Sequence, residues 1–501
     1  MVSNPATSPA TGAPLKLGEQ RVDWRRIFFI FLGIGAFYLF YVLPIFSPAV
    51  DPAGKAFPLS REGQLALGLF LMAGIWWVFE VVPIGVTSIM IGVVQAMFSI
   101  RPAKEAFGDF MDPSVLFILG SLMLGLAFTK TGLTKRMAFK MLGIVGENTR
   151  TILLGTYLVI VLLTFVMAHT AVAATVFPLL MLIMSLYAEE DRPTRFGKAL
   201  FIGMAYAAGA GSICTLLGAA RGPAAFGLYE EFTGQTLSFL QLSVALMPFG
   251  LITTFIIWFL LAFVFFRPEK SRIPGVKERV AEMAAQLGLI TPQEIFVLLC
   301  TAAVVVVLAI QNFVPALKEL NRSVPMLVVG LLFFLTRIFT VEDLEKRIPW
   351  NIVLLFSGAM SIGFCLWKTG AAQWMAVKWL VLFQHAHWII FVLAIAAFVL
   401  ILTNFIMNVA AIACSLPVAL VIAQYLHVNP ELVLWASLAM AGLPFLLLIG
   451  AAPNAIAYQS KQFTPGEFLL VGILPTIIVL LMVALFAVTY WPLVGIPPLV
   501  K

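Results

Sequence analysis

Apolar runs of roughly 20 residues, the length that crosses a bilayer as a helix, follow one another along almost the whole chain. Read by their ends, they predict spans over 27–46, 64–79, 83–100 and 114–128, and a fifth beginning near Ala199. Further spans are predicted over 237–266, 295–313, 324–339, 350–367, 432–450 and 468–492. Two runs behave differently. Over 151–187 and 388–425 a polar cluster interrupts the apolar sequence at its middle, around His169 and Thr170 in one and Asn408 in the other. Each half is short for a full crossing at about 1.5 Å per residue. The pattern predicts two re-entrant helical hairpins with tips near mid-membrane, because polar, non-helical backbone at that depth is tolerated only where it lines a cavity or is buried in protein. The expected fold class is an all-α polytopic membrane protein of about eleven transmembrane helices plus two re-entrant hairpins.

The polar segments orient these spans. Asp23-Trp24-Arg25-Arg26 precedes the first, and a later loop carries Lys130, Lys135, Arg136, Lys140 and Arg150. Such basic loops face the cytoplasm. Residues 1–26, rich in Pro, Ala, Thr and Ser, read as a disordered cytoplasmic tail. Residues 267–293, with Arg267, Lys270, Arg272, Lys277 and Arg279, read as a cytoplasmic linker between one half, 27–266, and another, 294–501. An odd number of crossings between the halves inverts the second, which predicts a cytoplasmic N-terminus, an external C-terminus and hairpins entering from opposite faces. Glu80, in the tight joint Glu80-Val81-Val82-Pro83, is either a coupling carboxylate or an acid satisfied at a helix end.

Composition changes the picture little and excludes much. Of 501 residues 61% are hydrophobic and 11% charged, more apolar surface than a soluble globular protein can bury. The net charge of +7 then reports basic loops and not a nucleic-acid partner. Cys214, Cys300, Cys365 and Cys414 sit in four separate runs without a CxxC pair, which argues against a disulfide framework or a metal cluster.

Candidate chemistry lies in a repeat. Aligning His169 with Asn408 (408 − 169 = 239) also aligns Thr164 with Thr403, Ala171 with Ala410, Ala174 with Ala413 and Pro178 with Pro417. Thr131-Gly132 recurs as Thr369-Gly370 (370 − 132 = 238), and Gly218-Ala219-Ala220-Arg221-Gly222 as Gly450-Ala451-Ala452-Pro453-Asn454 (450 − 218 = 232). The first of these last two closes the Gly-rich stretch Gly209 to Pro223 and reads as a broken helix, as the second does. Duplicated polar tips and breaks are what a binding site built from two halves requires.

From Trp76 onward the chain resembles the divalent anion/sodium symporters. The likeness is carried by Trp76-Trp77 with Glu80 and Pro83 before Val86-Thr87, the Thr-Gly pairs, both tips and both breaks. It implies an inverted repeat, scaffold and transport domains with an elevator-type movement, a homodimer and a bacterial cytoplasmic membrane. It also implies which positions form the site. Ala168, His169, Thr170, Ala219, Ala220, Arg221, Met407, Asn408, Val409, Ala451, Ala452 and Pro453 would line the substrate. Thr403, Asn408 and Gly450 would form one cation site, and Thr164 and Gly218 the remains of another. The family's tips carry Ser-Asn-Thr and its breaks Gly-Thr-Pro-Pro-Asn. Here His169 stands for the first Asn, Arg221 for a Pro, and Met407 and Val409 for Ser and Thr.

Arg221 is read in two ways. It is a fixed charge that replaces a bound cation and grips an anion bidentately, or it reaches the headgroups or pairs with Glu230 or Glu231. His169 is a proton-linked switch, a neutral donor to the substrate or a satisfied buried imidazole. His385, His387 and His427 fall near helix ends, where interfacial placement is the default. Met407 and Val409 signal an apolar or aromatic substrate body, one fewer carboxylate, or binding by tip amides alone. The functional expectation is a secondary transporter of small dicarboxylate-like organic anions, not an enzyme, with membrane lipid as its other partner. It needs no cofactor beyond Na+ or H+ as coupling ion. Sodium-independent exchange or proton linkage is expected, and sodium symport through the second-half site is the alternative. A membrane enzyme or a channel would need paired catalytic groups, haem ligands or a continuous polar stripe, none of which the sequence supplies.

Overall fold

The computed structural model describes residues 24–500 apart from 51–54, 80, 144–145, 188–191, 312–313, 315–316, 318–319, 381–385 and 406. Nearly all of the expected tail, and Glu80 and His385 with it, lie outside the described residues. The chain is an all-α polytopic membrane protein whose sole sheet, among the described residues, pairs β1 (Ala49–Val50) with β2 (Ala56–Phe57).

The first half runs α1 (Trp24–Val42), α2 (Arg61–Val78), α3 (Ile84–Met97), α4 (Ala103–Gly108), α5 (Pro113–Thr131) and α6 (Leu133–Leu142). A hairpin of α7 (Thr149–Thr164) and α8 (His169–Tyr187) follows, then α9 (Arg195–Ser212), α10 (Arg221–Thr233) and α11 (Phe239–Phe259). The polar segment 267–293 contains a helix of its own, α12 (Val276–Gln286). After it come α13 (Pro292–Ile310), α14 (Ser323–Leu335), α15 (Trp350–Lys368), α16 (Ala371–Leu380) and the second hairpin, α17 (Trp388–Phe405) with α18 (Asn408–Tyr425). The chain ends with α19 (Pro430–Ala441), α20 (Ala452–Tyr458), α21 (Pro465–Val488) and α22 (Tyr490–Leu493).

Among the described residues nine helices are long and apolar enough to cross a membrane, and α8, α17 and α18 of the hairpins are among them. Of the other expected elements, α3, α7, α14 and α19 are shorter apolar helices, while α2 and α9, at the positions of two expected spans, are neither among the nine nor among these four. Local chemistry sets the ends. Capping boxes start α11 (Ser238 with Gln241), α13 (Thr291 with Glu294) and α21 (Thr464 with Glu467). Thr131-Gly132 and Thr369-Gly370 both end a helix, with the glycines at φ +85° and +74°, where a side chain would be strained.

One expected feature holds and one is corrected. The helix expected to break within Gly209 to Pro223 does break, between the end of α9 at Ser212 and the start of α10 at Arg221, although the glycines at 209–211 themselves stay within α9. They let it approach its neighbours: a Cβ at Gly211 would collide with the Thr164 hydroxyl, and one at Gly209 would lie 2.8 Å from the Gly442 carbonyl oxygen. The span expected over 432–450 stops at Ala441, because Pro444 has no N–H to donate and biases the residue before it away from helix.

The loops are pinned by buried charge. Arg136 donates from Nε to Glu294 Oε1 at 2.8 Å, and also to the carbonyls of Leu287, Gly288 and Leu289, so α6 holds the end of the 267–293 segment. Burial alone would raise the Asp343 carboxyl. Its hydrogen bonds from Lys130 and from Thr340 outweigh that and hold it down at about 2.

The halves interlock around the two breaks. The helix after the first break, α10, packs against α18 of the second hairpin, and the helix after the second, α20, packs against α8 of the first and against α9. Each hairpin's second helix therefore packs against the helix that follows the other half's break.

Candidate functional site

Four helices begin at the residues singled out by the repeat: α8 at His169, α10 at Arg221, α18 at Asn408 and α20 at Ala452. The orphan N–H groups and positive dipole ends of α8, α10 and α18 make their surroundings favourable to negative charge.

In the first half the tip is tied to the break. The His169 backbone N–H donates to the Gly218 carbonyl at 3.0 Å, and His169 Nδ1 lies 3.2 Å from the same oxygen. Thr215 Oγ1 donates to the Phe165 carbonyl at 2.9 Å. A Cβ at Gly218 would sit 2.8 Å from the Thr164 carbonyl oxygen, so tip and break touch through backbone. Thr164, expected among cation ligands, instead turns its hydroxyl back onto the Val161 carbonyl at 2.6 Å. The Gly218 carbonyl, expected in the same role, is already engaged by His169.

The second half keeps the backbone contact and differs in its side chains. A Cβ at Gly450 would sit 2.9 Å from the Thr403 carbonyl oxygen, the counterpart of the Gly218 contact. The Thr403 hydroxyl lies 2.8 Å from Asn408 Oδ1 and 2.9 Å from the Ala441 carbonyl oxygen, an all-oxygen cluster of the kind that can hold a hard cation where a helix unwinds. Two further asparagines order the break. Asn404 Oδ1 accepts from the N–H groups of Leu446 and Leu447, and Asn454 Nδ2 donates to the carbonyls of Pro444 and Leu447.

Arg221, the first residue of α10, is 2% exposed. Its Nη2 donates to Ser212 Oγ at 2.9 Å, and Nη1 has no hydrogen-bond partner among the described residues. It does not pair with Glu230, which binds Arg322 at 3.0 Å, or with Glu231, which binds Lys368 at 3.3 Å. A buried guanidinium without a carboxylate is costly.

The remaining expected residues divide by exposure. Ala219, Val409 and Pro453 are buried, Val409 within the apolar core. Ala168, Thr170, Ala220, Asn408 and Ala451 are half-buried, whereas Ala452 and Met407 are exposed. His387 and His427 lie away from the tips, next to Trp388 and after α18. The sequence reading missed Ser212, Ala441, Gly442, Asn404 and Asn454. Asn404 and Asn454 carried a signal, being amides adjacent to a tip threonine and a break proline. The others carried none.

A family model described as the sodium:sulfate symporter transmembrane region matches residues 38–496. The chain is 24% identical over 461 residues to a protein of Staphylococcus saprophyticus named sodium-dependent dicarboxylate transporter SdcS, with 87% of this chain and 88% of the relative covered. It is 26% identical over 467 residues to a Cupriavidus necator protein named only membrane protein, covering 87% and 89%. Among solved structures, the Alcanivorax borkumensis YdaH transporter superposes with a TM-score of 0.57 at 13% identity, covering 93% of this chain and 99% of that one. Neisseria gonorrhoeae MtrF superposes at 0.56 and 12%, covering 92% and 93%. These two likenesses are of fold.

Proposed function

The chain belongs to the sodium:sulfate symporter family, and from that premise we propose that it carries small dicarboxylate-like organic anions by sodium-independent exchange or proton-linked transport, with Arg221 in place of a bound cation. The observation that carries the reading is the buried Arg221 guanidinium, which among the described residues has no carboxylate partner and one nitrogen without a hydrogen bond. An anionic substrate completes such a group with a charge-assisted bond. A sodium ion beside it would be repelled by about 4 kcal/mol at 4 Å in a medium of effective dielectric near 20. The engagement of the Gly218 carbonyl by His169 supports the same view, since a cation there would have to displace that contact.

A second reading, sodium symport through the second half, is favoured by the oxygens of Thr403, Asn408 and Ala441. The name of the staphylococcal relative also favours it. The proposal includes a homodimer in a bacterial inner membrane, N-terminus inside and C-terminus outside, and an elevator-type movement of a transport domain containing both hairpins.

Uptake of labelled succinate into proteoliposomes separates the modes. Exchange predicts uptake that requires internal succinate and ignores a sodium gradient; proton linkage predicts uptake into empty vesicles that follows an imposed pH gradient. Sodium-driven uptake into empty vesicles, lost in Thr403→Val, would instead establish the second reading.

A further inference from the structure

An arginine that must present one free nitrogen to an anion needs the rest of its guanidinium fixed. Among the described residues one hydrogen bond fixes Arg221, from Nη2 to Ser212 Oγ, and Ser212 is itself oriented by donating to the Gly209 carbonyl at 2.6 Å. The guanidinium also lies against Gly442, in the other half of the chain. A Cβ at Gly442 would lie 2.5 Å from Arg221 Nη2 and 3.0 Å from Cζ, and would also strike Ile213. Conformation does not require glycine there, because φ −84° and ψ −9° suit any residue. What the glycine supplies is room, and the guanidinium occupies it.

We propose that Ser212 and Gly442 are the positioning residues of Arg221: one from each half, they hold the guanidinium between the two broken helices so that Nη1 faces the bound anion. This rests on the reading of Arg221 as the anion-binding charge. Gly442 also meets α9, where a Cβ at Gly209 would lie 2.8 Å from the Gly442 carbonyl oxygen. The positioning ties substrate affinity to the relative placement of the two halves, since a shift of either helix end moves the charge.

The test is succinate exchange by the full chain in proteoliposomes, with KM and Vmax determined separately and thermal unfolding as the check on folding. Ser212→Ala removes the hydroxyl and is expected to raise KM roughly tenfold, the effect of losing a hydrogen bond to a charged group, with Vmax little changed and the unfolding midpoint lowered by a few degrees but the transition still cooperative. Gly442→Ala is expected to raise KM at least as much. Because its Cβ also meets Ile213, the pair Gly442→Ala with Ile213→Ala decides which collision matters. A KM that stays high in the double variant supports displacement of Arg221, and recovery to the wild-type KM overturns the role given to Gly442. Unchanged KM in both single variants, while Arg221→Ala raises it, overturns the positioning alone. If Arg221→Ala leaves KM unchanged, the underlying reading fails and this one with it.

Discussion

Arg221→Met is expected to lower succinate affinity and exchange by roughly two to four orders of magnitude, while leaving the unfolding midpoint of the anion-free protein unchanged or raised. The two effects have opposite signs for one physical reason. In the absence of an anion the guanidinium is buried with a single neutral hydrogen bond, an arrangement that costs stability, and an apolar side chain of similar length removes that cost. With an anion bound, the same substitution strands a carboxylate away from water with no counter-charge, a loss of about 3–5 kcal/mol by comparison with broken buried ion pairs. Arg221→Lys should not rescue, because a point ammonium cannot both bond Ser212 and present a second nitrogen to the anion. Isothermal titration with succinate and thermal unfolding of the same preparations give both numbers. Binding within tenfold of wild type, or a clear drop in the unfolding midpoint without ligand, would show that the arginine is structural.

The ends of the hairpin helices were legible because they are written locally, whereas the length of the hairpin halves was not: α8, α17 and α18 are long enough to cross. The expected 388–425 matches α17 and α18, and the expected start at 151 falls two residues inside α7 because Asn148 caps that helix by accepting from Arg150 and Thr151. Breaks were harder to read. Glycine in a membrane helix can unwind it or let it pack closely, and nothing local separates the two; at 209–211 it packs, while the proline at 444 ends a helix well before the motif that drew attention. The residues that met the least warning in the sequence are those whose role is a long-range contact. Arg221 stood out as a charge in a break, but that its guanidinium would lie on Gly442, from the opposite half, is a matter of packing that no periodicity encodes. The same holds for His169, whose hold on the Gly218 carbonyl follows from how the tip docks and not from its own neighbours.

That docking gives the second large effect. Gly218→Ala and Gly450→Ala are each expected to reduce transport about tenfold or more and to lower the unfolding midpoint, by the cost of overpacking. The new Cβ at 218 would meet Ser212 Cα and the Thr164 oxygen at 2.8 Å, and at 450 it would meet Pro444 Cβ at 2.6 Å and the Thr403 oxygen at 2.9 Å. These obstacles are mostly backbone, so no rotamer change relieves them, and the tip must move off the break. In the first half that movement stretches both His169 contacts to Gly218 and shifts the start of α10, where the arginine stands. In the second it opens the Thr403 cluster beside Ala441. Gly74→Ala in α2 is the control: nothing lies within 4 Å of a Cβ there, and alanine's better helix propensity, about 1 kcal/mol, should leave transport intact and the fold slightly firmer. If Gly218→Ala proved as harmless as Gly74→Ala, the tip would not need its seat on the break. If only one of the two seats mattered, the halves would contribute unequally to the site, and the asymmetry between Arg221 and Pro453 would extend from chemistry to mechanics.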